Sequence, residues 1–207
     1  MNKGKLFILS GPSGSGKDTV LKQVLNKDKN VMLSISSITR QMREGEVAGE
    51  KYNFITREQF ENMINNDLLL EYNVFVGNYY GTPKAPVEQA LNNGTDVILE
   101  IDVNGAKQIR EKMPDAISIF IMPPSFSELK NRLCGRGTES EEVINQRLNS
   151  ALNEIKRANE YDYIVVNDLI ENATANVISI IQSERLRLQR QKEIINEVLK
   201  NVESSNR

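Results

Sequence analysis

The stretch that decides the fold lies near the N-terminus, where residues 6–17 read Leu-Phe-Ile-Leu-Ser-Gly-Pro-Ser-Gly-Ser-Gly-Lys. An apolar run of strand character enters a glycine-rich turn, and apolar residues at helical spacing follow Lys17. Such a turn can point successive backbone N–H groups at phosphate oxygens, and a helix N-terminus adds a positive dipole end. The G-x-x-x-x-G-K pattern in this context predicts a nucleotide phosphate-binding loop, with Lys17 directed at the β- and γ-phosphates. A glycine-rich turn before an ordinary helix is the simpler alternative.

Asp18 departs from that pattern. The position after the lysine normally carries Ser or Thr, whose hydroxyl binds Mg²⁺, whereas here Asp18 is followed by Thr19. The carboxylate could hold a metal directly or through water, or it could be an acidic residue favoured by the dipole of the first helical turn. We favour the second interpretation, because a carboxylate that faces a triphosphate is repelled unless a metal lies between them. Metal ligation stays open at this position.

Composition narrows the class of protein. At 207 residues the chain fits one domain with insertions, and its net charge of −2 argues against bulk nucleic-acid binding. It contains no histidine and a single cysteine, Cys134, which excludes a His-based catalytic base and an intrachain disulfide. No apolar stretch approaches membrane-spanning length. We therefore expect no nucleic-acid or membrane partner and a cytoplasmic location, since one free thiol suits a reducing compartment.

Apolar runs alternate with helical patterns along the chain, which is typical of an α/β fold with a parallel sheet flanked by helices. The predicted strands are 6–10, 31–35, 97–101, 117–121 and 163–166. The predicted helices are 17–25, 85–92, 105–112, 125–133, 141–158 and 170–190.

Two stretches interrupt this alternation. Residues 36–82 mix Gly, Arg and Tyr with short alternating strands around one helix opened by Thr56, which predicts an inserted small α/β lobe. Residues 132–147 form a charged turn between two helices and predict a flap. A weak apolar stripe of Ile195, Val198 and Leu199 in the charged tail could pack on the core or on a partner.

Arginines recur in both interruptions. Arg40 and Arg43 follow a Ser-rich segment, where two guanidinium groups could converge on one phosphate; a solvated loop is the alternative. Arg132, Arg136 and Arg147 could close over a transferring phosphoryl group. For each of these three taken singly, a surface salt bridge with Glu128, Glu139 or Glu142 is the favoured interpretation.

Acidic residues mark a second candidate pocket. Glu71 lies in an alternating strand next to the turn Gly77-Asn78-Tyr79-Tyr80-Gly81-Thr82, although a lone glutamate is usually a surface charge. The buried run 97–102, Val-Ile-Leu-Glu-Ile-Asp, ends in acids at the edge of the sheet where ligands of α/β proteins bind.

Taken together, GPSGSGK, S-x-x-T-R-x-x-R-x-G-E, GNYYGT, LEID-x-N-G and RL-x-GRGTE resemble the guanylate kinase family in its own order, from Gly11 to Asp168. The resemblance implies a P-loop core (1–35, 83–131 and 149–207), a GMP-binding lobe (36–82) and a lid (132–148). It implies transfer of the ATP γ-phosphoryl group to GMP or dGMP with Mg²⁺. Ile38 and Met42 replace a Thr and a Pro of the family pattern.

The resemblance also assigns residues by motif position. The GMP phosphate would be held by Arg40, Arg43, Tyr52 and Tyr80. The guanine ring would be read by Ser36, Glu71, Thr82 and Asp102. ATP would be held by Gly11, Pro12, Ser13, Gly14, Ser15, Gly16, Lys17, Asp18, Thr19 and Asn167. The catalytic cations would be Lys17, Arg43, Arg132, Arg136 and Arg147.

Two rival functions stay open on the sequence. One is a catalytically inactive module of the same family that binds proteins, against which the intact Lys17 and the lid arginines argue. The other is a kinase on the same scaffold with a different phosphorylated acceptor, for which Glu71 would have no purpose. A GTPase is disfavoured because no Asn-Lys-x-Asp guanine motif is present. Oligomeric state is undetermined.

Overall fold

A computed structural model describes residues 3–134 and 141–205 of the chain. Its strands are β1 (Leu6–Ser10), β2 (Val31–Leu33), β3 (Ser36–Ile38), β4 (Tyr52–Phe54), β5 (Leu69–Phe75), β6 (Asn78–Pro83), β7 (Asp96–Glu100), β8 (Ile117–Met122) and β9 (Tyr163–Val166). Its α-helices are α1 (Lys17–Lys27), α2 (Arg57–Asn65), α3 (Lys84–Asn92), α4 (Val103–Lys112), α5 (Phe126–Cys134), α6 (Glu141–Lys156), α7 (Ile170–Arg185) and α8 (Leu188–Ser205).

The main sheet has five strands in the order β2-β7-β1-β8-β9, and every neighbouring pair is parallel. At its centre, Ile8 of β1 lies level with Leu99 of β7 and Ser118 of β8. The predicted α/β fold with a parallel sheet is confirmed. Because β1 is central and the phosphate loop follows it, the loop lies at the carboxyl edge of the sheet, where ligands bind in such folds.

Both faces of the main sheet are covered, as the near-continuous apolar strands indicate. Phe7 and Leu9 of β1 share one buried cluster with residues of α1 and α7. Leu6 and Ile8, which point the other way, share a second cluster with residues of α3 and α4. Each fully buried aliphatic side chain contributes about 1.5–3 kcal/mol. The phosphate loop therefore follows a strand that is buried on both faces.

A second sheet lies within residues 36–83, in the order β4-β3-β6-β5. Helix α2 covers it and begins with a capping box, in which Thr56 accepts from the backbone N–H of Gln59 and Gln59 accepts from that of Thr56. Phe60 of α2 is fully buried and its ring stacks on Tyr79, with 5.0 Å between centroids. We call residues 36–82 the small lobe.

The predicted strand 31–35 is too long. Strand β2 ends at Leu33, the backbone N–H of Ser34 donates to the carbonyl of Ile98, and Ser36 already belongs to the second sheet. Strand β2 ends at Leu33 because the backbone beyond Ser34 pairs in the small lobe instead, where Ser36 lies opposite Tyr52.

The predicted helix 170–190 is two helices. Helix α7 ends at Arg185, and α8 begins at Leu188. The break brings Arg185 and Arg190 to the same carboxylate, Asp96, at 2.7 and 3.4 Å, while Arg185 also binds Asp28 at 2.8 Å. Such long-range ion pairing is invisible to helical periodicity. Ile195, Val198 and Leu199 of α8 are exposed.

None of the helices that the structure describes combines the length and the apolar character needed to cross a bilayer.

Candidate active site

The phosphate loop turns sharply between β1 and α1. Gly14 and Gly16 have φ angles of 87° and 82°, which favour glycine, and Gly16 is the residue from which α1 begins. Gly16 is also needed for space, because a Cβ there would collide with the side-chain amide of Asn167. The backbone N–H of Ser15 donates to the carbonyl of Pro12 at 3.0 Å. This conformation leaves a concave backbone of the kind that holds phosphates.

Asn167 and Arg132 secure the loop from the side. Asn167 is buried, and its side-chain amide donates to the carbonyl of Ser15 at 2.7 Å. The Arg132 guanidinium donates to the carbonyls of Ser15 at 3.4 Å and Asn167 at 3.2 Å. Arg132 also pairs with Glu128 at 2.8 Å. The same side chain therefore makes both the surface salt bridge and the contact with the phosphate loop.

Arg147 reaches the loop from α6. Its Nη2 donates to the hydroxyl of Ser13 at 2.8 Å. Arg136 lies in residues 135–140, outside the described residues. Of the predicted lid cations, Arg132 and Arg147 thus lie at the phosphate loop, and their catalytic role stays a prediction.

Four charged side chains meet beside the loop. The Lys17 ammonium lies 3.2 Å from one oxygen of Glu100, and Lys51 lies 2.5 Å from the other. Asp18 is placed likewise, 3.7 Å from Lys17 and 3.2 Å from Lys51. Two carboxylates therefore bridge two ammonium groups beside the loop.

The pKa values reflect this packing. Burial raises the pKa of Glu100, and the charge of Lys17 opposes the rise. Burial would also raise the pKa of Asp18, yet its hydrogen bond with Glu100 and the charge of Lys17 prevail and lower it to about 2. Burial lowers the pKa of Lys51, but the charge of Glu100 raises it on balance. Asp18 and Lys51 are therefore charged at neutral pH.

A second basic cluster lies in the small lobe. Arg40 binds Glu46 through two nitrogens, at 2.7 and 2.6 Å, and lies 5.4 Å from the ring centre of Tyr52. The hydrogen bond with Glu46, and a weaker one with Tyr80, raise the pKa of Arg40. Arg43 is exposed and its backbone N–H donates to Glu46 at 2.8 Å. Glu46 occupies Arg40 here much as a phosphate would.

Glu71 is the buried acid of the small lobe, only 3% exposed. It accepts a hydrogen bond from the Thr82 hydroxyl at 2.6 Å, and a Cβ on Gly105 would lie 2.5 Å from its other oxygen. Burial raises the pKa of Glu71 to about 7, the charge of Asp102 adds to the rise, and Thr82 opposes it.

Asp102 lies near enough to Glu71 for its charge to act on it, and Ser36 lies beside the Thr82 that binds Glu71. Asp102 caps α4 by accepting from the backbone N–H groups of Asn104 and Gly105, and its second oxygen accepts from Asn73 at 2.7 Å. Ser37 lies opposite Gly81 in the sheet, which places Ser36 level with Thr82.

The guanylate kinase family model matches residues 3–184. The chain belongs to the guanylate kinase family. It is 51% identical over 188 residues to a guanylate kinase of Oceanobacillus iheyensis, with 91% of each chain covered. It is 48% identical over 203 residues to one of Lactiplantibacillus plantarum, with 98% of each covered. The crystal structure of guanylate kinase from Anaplasma phagocytophilum superimposes with a TM-score of 0.76 at 34% identity, covering 91% of this chain and 90% of that one.

Within this guanylate kinase fold, sequence reasoning left two charged residues at the site without a role. Glu100 stands in the Leu-Glu-Ile-Asp motif, two residues before Asp102, and that strand-end position was the available signal. Lys51 precedes Tyr52 in an ordinary-looking turn, and nothing local in the sequence predicts that it reaches the phosphate loop.

Proposed function

We propose that the chain transfers the γ-phosphoryl group of ATP to GMP, giving ADP and GDP. The observation that carries the proposal is the 51% identity to the Oceanobacillus guanylate kinase over 91% of both chains. The site supports it, since a cationic phosphate loop lies at the carboxyl edge of the main sheet and a buried acid lies in the small lobe. Use of dGMP as a second acceptor is part of the proposal.

In this proposal the phosphate loop, Gly11 to Thr19, holds ATP with Lys17 on the β- and γ-phosphates. Asn167 supports the loop through its bond to Ser15. The adenine ring of ATP would lie near Asn167. The small lobe receives GMP, and residues 132–148 form the lid. A cytoplasmic location is part of the same proposal, and rests on the single free thiol.

The small lobe recognises both ends of GMP. Arg40 exchanges Glu46 for the phosphate, joined by Arg43 and the hydroxyls of Tyr52 and Tyr80. The Glu71 carboxylate accepts from N1–H and the N2 amino group of guanine. Ser36, Thr82 and Asp102 complete the base pocket. Adenine has a lone pair at N1 and meets the charge of Glu71 unfavourably.

Phosphoryl transfer of this kind needs positioning and charge stabilisation more than covalent help from the protein. The acceptor oxygen of GMP is already anionic and requires no strong base, which fits a chain without histidine. The two substrates repel each other, so cations must gather around both. Lys17, Arg132 and Arg147 do so from the ATP side, and Arg43 from the GMP side.

The family implies Mg²⁺. Within residues 3–134 and 141–205, no group of three or more His, Cys, Asp or Glu side chains is placed to hold a metal by itself. A magnesium ion that travels with ATP needs only one or two protein carboxylates besides phosphates and water. Asp18 and Glu100 fit that demand and would hold it, and the bound ion would neutralise charge on the β- and γ-phosphates.

Glu71 makes the reaction depend on pH. Burial raises the pKa of Glu71 to about 7. Because only the ionised carboxylate accepts hydrogen bonds from guanine, kcat/KM for GMP should fall as the pH drops through this value. We expect a fall of about tenfold between pH 8 and pH 6. Glu71→Gln is the control, because it retains the titration of the GMP phosphate itself and should show a flatter profile. Equal slopes in the two proteins would contradict the role of Glu71.

A coupled assay of ADP formation across a panel of nucleoside monophosphates tests the function. ADP should form on addition of GMP, more slowly with dGMP and hardly with AMP, CMP or UMP. If no ADP forms with GMP, the proposed activity is wrong and the inactive, protein-binding member of the family is the function that remains. Preference for another monophosphate would indicate a kinase with a different acceptor.

A further inference from the structure

Lys51 links the small lobe to the phosphate loop. It lies in the turn before β4, yet its ammonium group contacts Glu100 at the end of β7 and Asp18 in the first turn of α1. Only 34% of its side chain is exposed. The ring of Tyr52, with its centre 5.5 Å from the ammonium, lies against it. One lysine of the small lobe therefore completes a charge cluster that belongs to the ATP side.

Asp18 explains why such a lysine is needed. Its carboxylate is 65% exposed and adjoins Lys17, so it faces the space where a triphosphate would bind. Lys17 is shared between Asp18 and Glu100. Once Lys17 turns to the phosphates, a Mg²⁺ ion held by the two carboxylates would offset part of their repulsion of the substrate, and Lys51 offsets the rest.

We propose that Lys51 is a positioning residue of the ATP site, which neutralises Asp18 and Glu100 from the small lobe and so frees Lys17 for the phosphates. The inference rests on the proposed function, because it takes ATP as the ligand of the loop. This role of Lys51 also explains how the chain can carry Asp18 at the position where a phosphate loop usually has Ser or Thr. Tyr52, one of the residues proposed to hold the GMP phosphate, follows Lys51 directly. The contact of Lys51 with Glu100 and Asp18 therefore also links the GMP-phosphate site to the phosphate loop.

A double-mutant cycle on ATP affinity tests the proposal. The dissociation constant of ATP is measured by calorimetry without GMP for Lys51→Gln, Asp18→Ser and the double variant, with kcat and KM for ATP measured alongside. Lys51→Gln should weaken ATP binding roughly tenfold while Asp18 is present, and less than threefold in the Asp18→Ser background. Lys51→Arg should retain wild-type affinity.

Lys84→Gln is the matched control. Lys84 also pairs with an exposed carboxylate, Asp67 at 2.9 Å, with 38% of its side chain exposed, but it lies away from the loop. Its replacement should leave ATP affinity unchanged. The same loss on Lys51→Gln with and without Asp18, or no loss at all, would overturn the proposal. Binding is read without GMP, so a wild-type protein that binds ATP but does not phosphorylate GMP would sink the proposed function alone.

Discussion

Replacement of Arg147 by alanine is expected to lower kcat by about 10³-fold or more. Arg147 reaches the phosphate loop from α6 and donates to Ser13 at 2.8 Å. From this position its guanidinium group can stabilise the negative charge of the phosphoryl group during transfer. An interaction made mainly in the transition state lowers kcat and kcat/KM together, while KM for ATP changes little. Steady-state kinetics with both substrates varied measures these constants.

The control for this experiment is Arg57→Ala. Arg57 also belongs to a helix and pairs with Glu61 at 2.9 Å, but it lies on the surface of the small lobe. Its loss should leave kcat unchanged. A decrease of less than tenfold in Arg147→Ala would remove Arg147 from the catalytic group and leave it a surface arginine that touches the loop.

Replacement of Glu71 by glutamine should remove most of the preference for GMP over AMP. A site built to hydrogen-bond a substrate group rejects the analogue that lacks it by about 10⁴. The amide presents an NH₂ group where guanine needs a second acceptor, while the bond from Thr82 can persist. We expect the ratio of kcat/KM for GMP to that for AMP to fall by about 10³-fold.

Glu61→Gln provides the comparison on the same lobe, because Glu61 is a surface glutamate that pairs with Arg57 within α2. That variant should keep the wild-type preference. If Glu71→Gln also keeps it, with an unchanged melting temperature, guanine is read by other residues, with Asp102 the next to test.

Local sequence was enough for the parts of the fold that depend on neighbouring residues. The strand, loop and helix around Lys17 follow from glycine placement and periodicity, and the Thr56 capping box lies within one helical turn. The phosphate-loop elements and a helix opening at Thr56 were predicted and are confirmed, whereas the capping box at Thr56 is seen only in the structure. The double burial of β1 also follows from its unbroken apolar run.

Contacts between distant residues could not be predicted in this way. The break after Arg185 depends on Asp96, and the place of Lys51 depends on Glu100, which lies in another sheet. The end of β2 at Leu33 depends on how the small lobe docks its first strand. The resemblance named the candidate site residues, but only the folded chain shows that Glu46 occupies Arg40 and that Arg147 touches Ser13.

The most direct test of the whole account is a crystal structure with GMP and a non-hydrolysable ATP analogue bound together. Arg40 and Arg43 should lie within about 3 Å of the GMP phosphate oxygens, and Arg147 within the same distance of the γ-phosphate. Glu46 should have released Arg40. Guanidinium groups turned away into bulk solvent, with both nucleotides in place, would contradict the claim that these cations draw the two substrates together.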